Sequence, residues 1–171
     1  MASTRFDEVE KLAGTVNVFM NTVGFIVFGQ NQKYCLVTSD LNGCSAVAIV
    51  SQHAAILAHI PPRPSLDSSN LLAGDQNMQA KMNEVAYLLT QHRILFEGNH
   101  AWVVYAVLGD EIGLADQKAI IDRTLEGLCI NYTNYPYPVS QDENRPPGHG
   151  TIVVDARSGV PQVYIDDSRV K

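Results

Sequence analysis

The stretch Cys44-Ser45-Ala46-Val47-Ala48-Ile49-Val50-Ser51-Gln52-His53-Ala54-Ala55-Ile56-Leu57-Ala58-His59-Ile60 decides the fold. Two apolar runs flank a polar tip, and neither run alternates apolar with polar. Small and β-branched residues on both faces are the pattern of strands buried in the middle of a sheet. With Ser51-Gln52 at the tip, residues 44–50 and 53–60 form an antiparallel hairpin in which Val50 faces His53, Ile49 faces Ala54 and Cys44 faces His59. Directly opposed residues hold their Cβ atoms roughly 4.5–5.5 Å apart on one face. The alignment depends on the loop, because a slip of one residue sends every side chain to the other face.

Working outward, residues 5–13 suit a short opening helix, and 15–20, 23–28 and 34–38 read as strands between Gly14, Gly24, Gly29 and the polar turn 30–33. Pro61, Pro62 and Pro64 end the hairpin, and 63–74 is a polar loop. From Asp75, taken as N-cap, Met78, Met82, Val85, Leu88 and Leu89 recur at helical spacing to about His92 or Leu95. A strand over 101–108 and a helix over 114–128 follow. Residues 132–150 hold four prolines, three tyrosines and few aliphatics, the composition of a surface loop. A hairpin of 151–155 and 160–165 closes the chain. This mixed order predicts an α/β (α+β) layered sandwich of mixed or antiparallel β-sheet with flanking helices, built as a single domain over 1–171.

With 46% hydrophobic residues the chain can bury a full core. Its 12 basic and 18 acidic residues give a net charge of −6 with no Lys/Arg cluster, which argues against a nucleic-acid partner. Neither a signal-peptide pattern nor a membrane-length apolar run is present, so a soluble, cytoplasmic protein with no membrane association is expected. The three cysteines, Cys35, Cys44 and Cys129, are unpaired in spacing, as free thiols in a reducing compartment would be. No His, Cys or carboxylate grouping has zinc-ligand spacing, and no metal or other cofactor is expected.

Chemistry centres on Leu41-Asn42-Gly43-Cys44 and on His59 in Ala58-His59-Ile60-Pro61. A thiol entered through a glycine turn, facing an imidazole, is the minimum equipment of a cysteine nucleophile and its base. Gly43 permits a tight turn, and the N–H groups around Cys44 would form an oxyanion hole. His59 would take the thiol proton or hold a thiolate–imidazolium pair, lowering the thiol pKa below its free value of about 8.5. Thr38 is the first candidate to orient the imidazole, and Asp40 the second. The bland alternative is a core cysteine and a core histidine.

Residues 37–49, with 55–61 after them, resemble the catalytic core of the cysteine-dependent glutamine deamidases. These include the chemoreceptor deamidase (CheD) family, the cytotoxic necrotising factors and a bacterial lethal factor acting on a translation initiation factor. The resemblance lies in the Leu-x-Gly-Cys turn, the strand after it, the returning strand with its His-x-Pro ending, and a Thr six positions before the Cys. It implies Cys44 as nucleophile, His59 as base and Thr38 as orienting group, with Leu41, Asn42 and Gly43 forming the turn. It also implies a layered α/β sandwich with the site at one sheet edge. The implied reaction hydrolyses a glutamine carboxamide on a protein substrate through a thioester; in some relatives an amine replaces water. A cysteine amidase for small amides and a non-catalytic interaction module are the alternatives.

Of the other residues, His53 and His92 read as exposed and idle, and Cys35 and Cys129 as packing residues. His149, flanked by Gly148 and Gly150, sits on a loop that could swing toward the site. Tyr132, Tyr135 and Tyr137 alternate with prolines and fit either a plain loop or a rim touching a partner.

Overall fold

Alternation along the strands decides what each layer buries. The computed structural model describes residues 3–65, 69–142 and 144–170. In chain order the elements are α1 (Arg5–Val9), β1 (Thr15–Asn17), β2 (Thr22–Val27), β3 (Cys35–Thr38), β4 (Ser45–Val50), β5 (Ala54–Ile60), α2 (Ala73–Gln91), β6 (His100–Leu108), β7 (Glu111–Ile112), α3 (Ala115–Gly127), β8 (Tyr132–Pro138), β9 (Ile152–Asp155), β10 (Gln162–Ile165) and β11 (Ser168–Val170). One sheet runs β1-β3-β9-β10-β11 and the other β2-β5-β4-β6-β7, with β8 also paired to β6. Parallel pairs β1–β3 and β6–β8 make both sheets mixed.

Ala46, Ala48, Ala55 and Leu57 point between the sheets, where they meet Leu36, Ile152 and Val154 of the other sheet. Their sequence neighbours Val47, Ile49, Ile56 and Ala58 face Met78, Met82 and Val85 of α2 and Ile121 and Leu125 of α3. A smaller cluster of Val9, Cys35, Val37, Val153 and Tyr164 seats α1 on the outer face of the first sheet. The result is the α+β sandwich expected from the sequence, with β4 and β5 apolar on both faces because a layer covers each. Among the described residues, no helix is long and apolar enough to cross a membrane.

Several boundaries differ for local reasons. The first helix stops at Val9, because the Thr15 hydroxyl donates to the Val9 carbonyl and turns the chain into β1. The second helix starts at Ala73 with Leu72 at the cap, so Asp75 lies in its first turn, facing the positive end of the helix dipole. The segment read as a loop over 132–150 contains β8. Its neighbours Asn131 and Val139 hydrogen-bond to β6, which sets the odd-numbered residues toward β6 and turns Pro136 and Pro138 to the open side. A proline lacks the N–H that a ladder needs, so this placement suits an edge strand.

The tip of the β4–β5 hairpin is also displaced. Ser51 pairs with Ala54 around Gln52-His53, and the Ser51 hydroxyl accepts from the N–H groups of His53 and Ala54. The register therefore sets Ala46, not Cys44, opposite His59.

Candidate active site

Thr38 ends β3 on one sheet and His59 lies near the end of β5 on the other, and both side chains point into the space between. The Thr38 Oγ1 lies 2.7 Å from His59 Nδ1 and 2.6 Å from the carbonyl oxygen of Val18. A carbonyl only accepts, so the one hydroxyl proton goes to Val18. Thr38 Oγ1 must then accept from His59 Nδ1–H, which leaves Nε2 as the basic nitrogen of the neutral ring. The Asn21 N–H donates to the His59 carbonyl at 2.7 Å and fixes the backbone beneath the ring. Asp40, the second candidate for orienting the imidazole, is exposed and bonds to Ser39; it acts on His59 only through its charge.

The shift of register is two residues, and two is an even number. Cys44 stands two positions before Ala46 and keeps the face that His59 uses. The expected face-to-face pair is thus a diagonal pair, with a typical separation of roughly 7–8 Å between such neighbours at Cα. Nε2 has no hydrogen-bond partner among the described residues, so the thiol and imidazole are not joined in this resting form. Cys44 is 6% exposed and His59 2%. The site lies at the strand ends between the two sheets, and not at a sheet edge, because β4 and β5 are both interior strands.

A strap formed by residues 137–142 and 144–150 grips the turn before Cys44. The buried Tyr137 hydroxyl accepts from the Gly43 N–H at 2.7 Å and donates to the Cys44 carbonyl at 2.6 Å. Asn42 and Ser140 bond reciprocally, at 2.9 and 3.0 Å. Arg145 donates to the Leu41 carbonyl, and the Leu41 N–H donates to Gly150. Gly43 has φ of 107°, which favours glycine, and a Cβ on Gly150 would stand 2.7 Å from the Leu41 oxygen. The N–H groups of Leu41 and Gly43 are therefore occupied, contrary to the expected oxyanion hole. The Cys44 N–H has no hydrogen-bond partner among the described residues and remains as a donor of the turn.

Burial, not ion pairing, sets the protonation states. It pushes the Cys44 thiol up to about 11, with the Asn42 N–H opposing only weakly. It also lowers His59, against the pull of Asp40. The expected depression of the thiol pKa is absent, and the resting pair is neutral thiol with neutral imidazole.

Stability should follow. Below about pH 6.5 the unfolded chain binds a proton at His59 that the folded chain resists, so stability falls as pH drops. Above about 8.5 the unfolded thiols release protons that folded Cys44 and Cys35, also raised to about 11, retain, so stability falls as pH rises. Thermal melts across pH should show both limbs. His59→Gln should flatten the acid limb and Cys44→Ser part of the alkaline one; unchanged limbs would refute this protonation scheme.

Other expected positions divide. Cys35 is buried and donates to Asp155, whereas Cys129 is exposed at φ of 57°, just past the end of α3, and is not a packing residue. His53 is exposed, but His92 is half-buried and stacks on Phe25 at 4.4 Å. His149 lines a cavity of about 200 Å³ with Tyr137, Arg145 and Asp166. Tyr137, Arg145 and Val18 were not singled out for the site. For Tyr137 the period-two Tyr-Pro alternation was the available signal. Comparison of the sequence with protein-family models and with curated proteins gives no match.

Proposed function

We propose that this protein is a cysteine-dependent amidohydrolase that converts glutamine side chains of a protein substrate to glutamate. The carrying observation is the Val18–Thr38–His59 relay, which presents an unprotonated Nε2 on the face that Cys44 shares. In this reading the Cys44 thiol, on rotating toward Nε2, gives its proton to His59 as sulfur attacks the carboxamide carbon. The Cys44 N–H faces the developing oxyanion. The imidazolium then protonates the leaving nitrogen, ammonia departs, and water, deprotonated by His59, resolves the thioester to glutamate and free thiol. The free cysteines fit a cytoplasmic setting. A non-catalytic interaction module is the second reading, favoured by the burial of both groups and the raised thiol pKa.

Ammonia release from candidate protein substrates, with Cys44→Ser as the silent control, tests the activity. Iodoacetamide labelling tests the site, and it requires a Cys129→Ser background because Cys129 is exposed. Cys44 should label faster than Cys35, at a rate climbing about tenfold per pH unit from neutrality toward the raised pKa. A plateau reached near pH 6 to 7 would replace general-base activation with a preformed ion pair. Absence of Cys44 labelling in the native protein at every pH would sink the enzyme reading.

A further inference from the structure

Among the described residues, every open sheet edge but one is blunted against pairing with another strand. In the first sheet β1 and β11 are three residues long, and β11 carries Arg169. In the second, β7 has two residues and begins with Glu111, and β8 turns Pro136 and Pro138 to its open side. Strand β2, at the other end of that sheet, has none of these devices. Thr22–Val27 is six residues long, holds no charged residue or proline, and keeps an unbroken register with β5.

That register tells which backbone groups β2 leaves open. The Phe28 N–H donates to the His53 carbonyl in the same register, and hydrogen-bonded pairs alternate along an antiparallel ladder, so Gly24 and Ile26 bond to β5. The N–H and C=O groups of Val23, Phe25 and Val27 therefore point away from β5, and they have no partner among the described residues. Side chains of these three share the face that α2 covers, where Val23 and Phe25 pack. Beside Val23 a groove of about 430 Å³ opens, lined by Ala80, the exposed Tyr87 and Leu88. Glu84, the one charged residue of its described lining, is already paired with Lys81. A row of open backbone groups beside an apolar groove fits an added strand.

We propose that β2 pairs with β2 of a second copy of this chain, antiparallel about a twofold axis at Phe25, to form a homodimer with one continuous sheet. Three open positions spaced two apart are self-complementary in this arrangement. Val23 meets Val27 of the partner subunit, Phe25 meets Phe25 of the partner subunit, and each pair exchanges both hydrogen bonds. No charge on the strand is set against its own copy, and Val27 of the partner subunit stands beside the groove at Val23. The interface is independent of the chemistry at Cys44.

Sedimentation equilibrium, run in reductant so that the exposed Cys129 forms no cross-link, should show monomer and dimer with Kd below about 10 µM. Val23→Pro removes an N–H that β5 does not use, and Val27→Lys sets a charge on the edge. Each should weaken the dimer at least about tenfold, and Cys44→Ser should leave it unchanged. Hydrogen exchange on the unaltered chain needs no variant to fold. Amides of Val23, Phe25 and Val27 should slow at least about tenfold from dilute to concentrated protein, while Gly24 and Ile26 stay protected at both. A dimer that both substitutions leave intact, or exchange at Phe25 and Val27 that ignores concentration, would overturn the proposal. A monomer at every concentration up to about 100 µM would also overturn it and leave the edge to a strand of a different protein.

Discussion

Tyr137→Phe is expected to destabilise the protein by about 1–3 kcal/mol, although it removes a single oxygen. The cost comes from what remains. The Gly43 N–H and the Cys44 carbonyl both end on that hydroxyl, and the loss of the oxygen leaves two backbone groups unpaired at once. Burial raises the Tyr137 pKa to about 12, so near neutral pH the hydroxyl keeps the proton it donates to Cys44. Tyr135 provides the comparison, since it lies on the same strand, is half-buried and carries no hydroxyl hydrogen bond among the described residues. Urea melts should show Tyr137→Phe well below Tyr135→Phe. Amide exchange at Gly43 should accelerate, and Cys44 should label faster as its turn loosens. Equal melts for the two variants with unchanged exchange at Gly43 would show that the strap does not hold the turn.

The strands of this sandwich were legible because burial on both faces writes itself into composition. The run from Ser45 to Val50 admits no polar residue after its first position, and only a strand covered by a layer on each side tolerates that. Register was less legible. It turned on whether Ser51 was part of the tip or its cap, and the Ser51 hydroxyl settles this by accepting from His53 and Ala54, contacts that no periodicity encodes. The even slip preserved the face, so Cys44 and His59 still share the space between the sheets while losing direct opposition. Strand β8 was hidden for another reason: Pro136 and Pro138 argue against a strand unless their shared parity is recognised as the open side of an edge. The raised thiol pKa depends on three-dimensional burial, and a Gly-Cys turn read in isolation suggests the opposite direction.

Thr38→Val tests the relay itself, with an expected loss of ammonia release of about 10²- to 10⁴-fold under the proposed function. Valine keeps the shape of threonine and removes the one atom that joins Val18 to His59. With the hydroxyl gone, nothing in the relay holds the proton on Nδ1, and the ring is free to adopt the tautomer with Nε2 protonated, which cannot accept from a thiol. The Val18 carbonyl and Nδ1–H are also left without partners, so a stability loss of about 1–3 kcal/mol should accompany the effect. Stability alone does not identify the mechanism, and Thr38→Ser separates the two: it loses the methyl packing but restores the hydroxyl, and should recover most of the activity. Nitrogen-15 spectra of the imidazole should show the Nδ1–H tautomer in the wild type and in Thr38→Ser, and a mixed population in Thr38→Val. If serine and valine were equally impaired with the tautomer unchanged, Thr38 would be a packing residue, and the reading of Nε2 as a held, unprotonated base would lose its support.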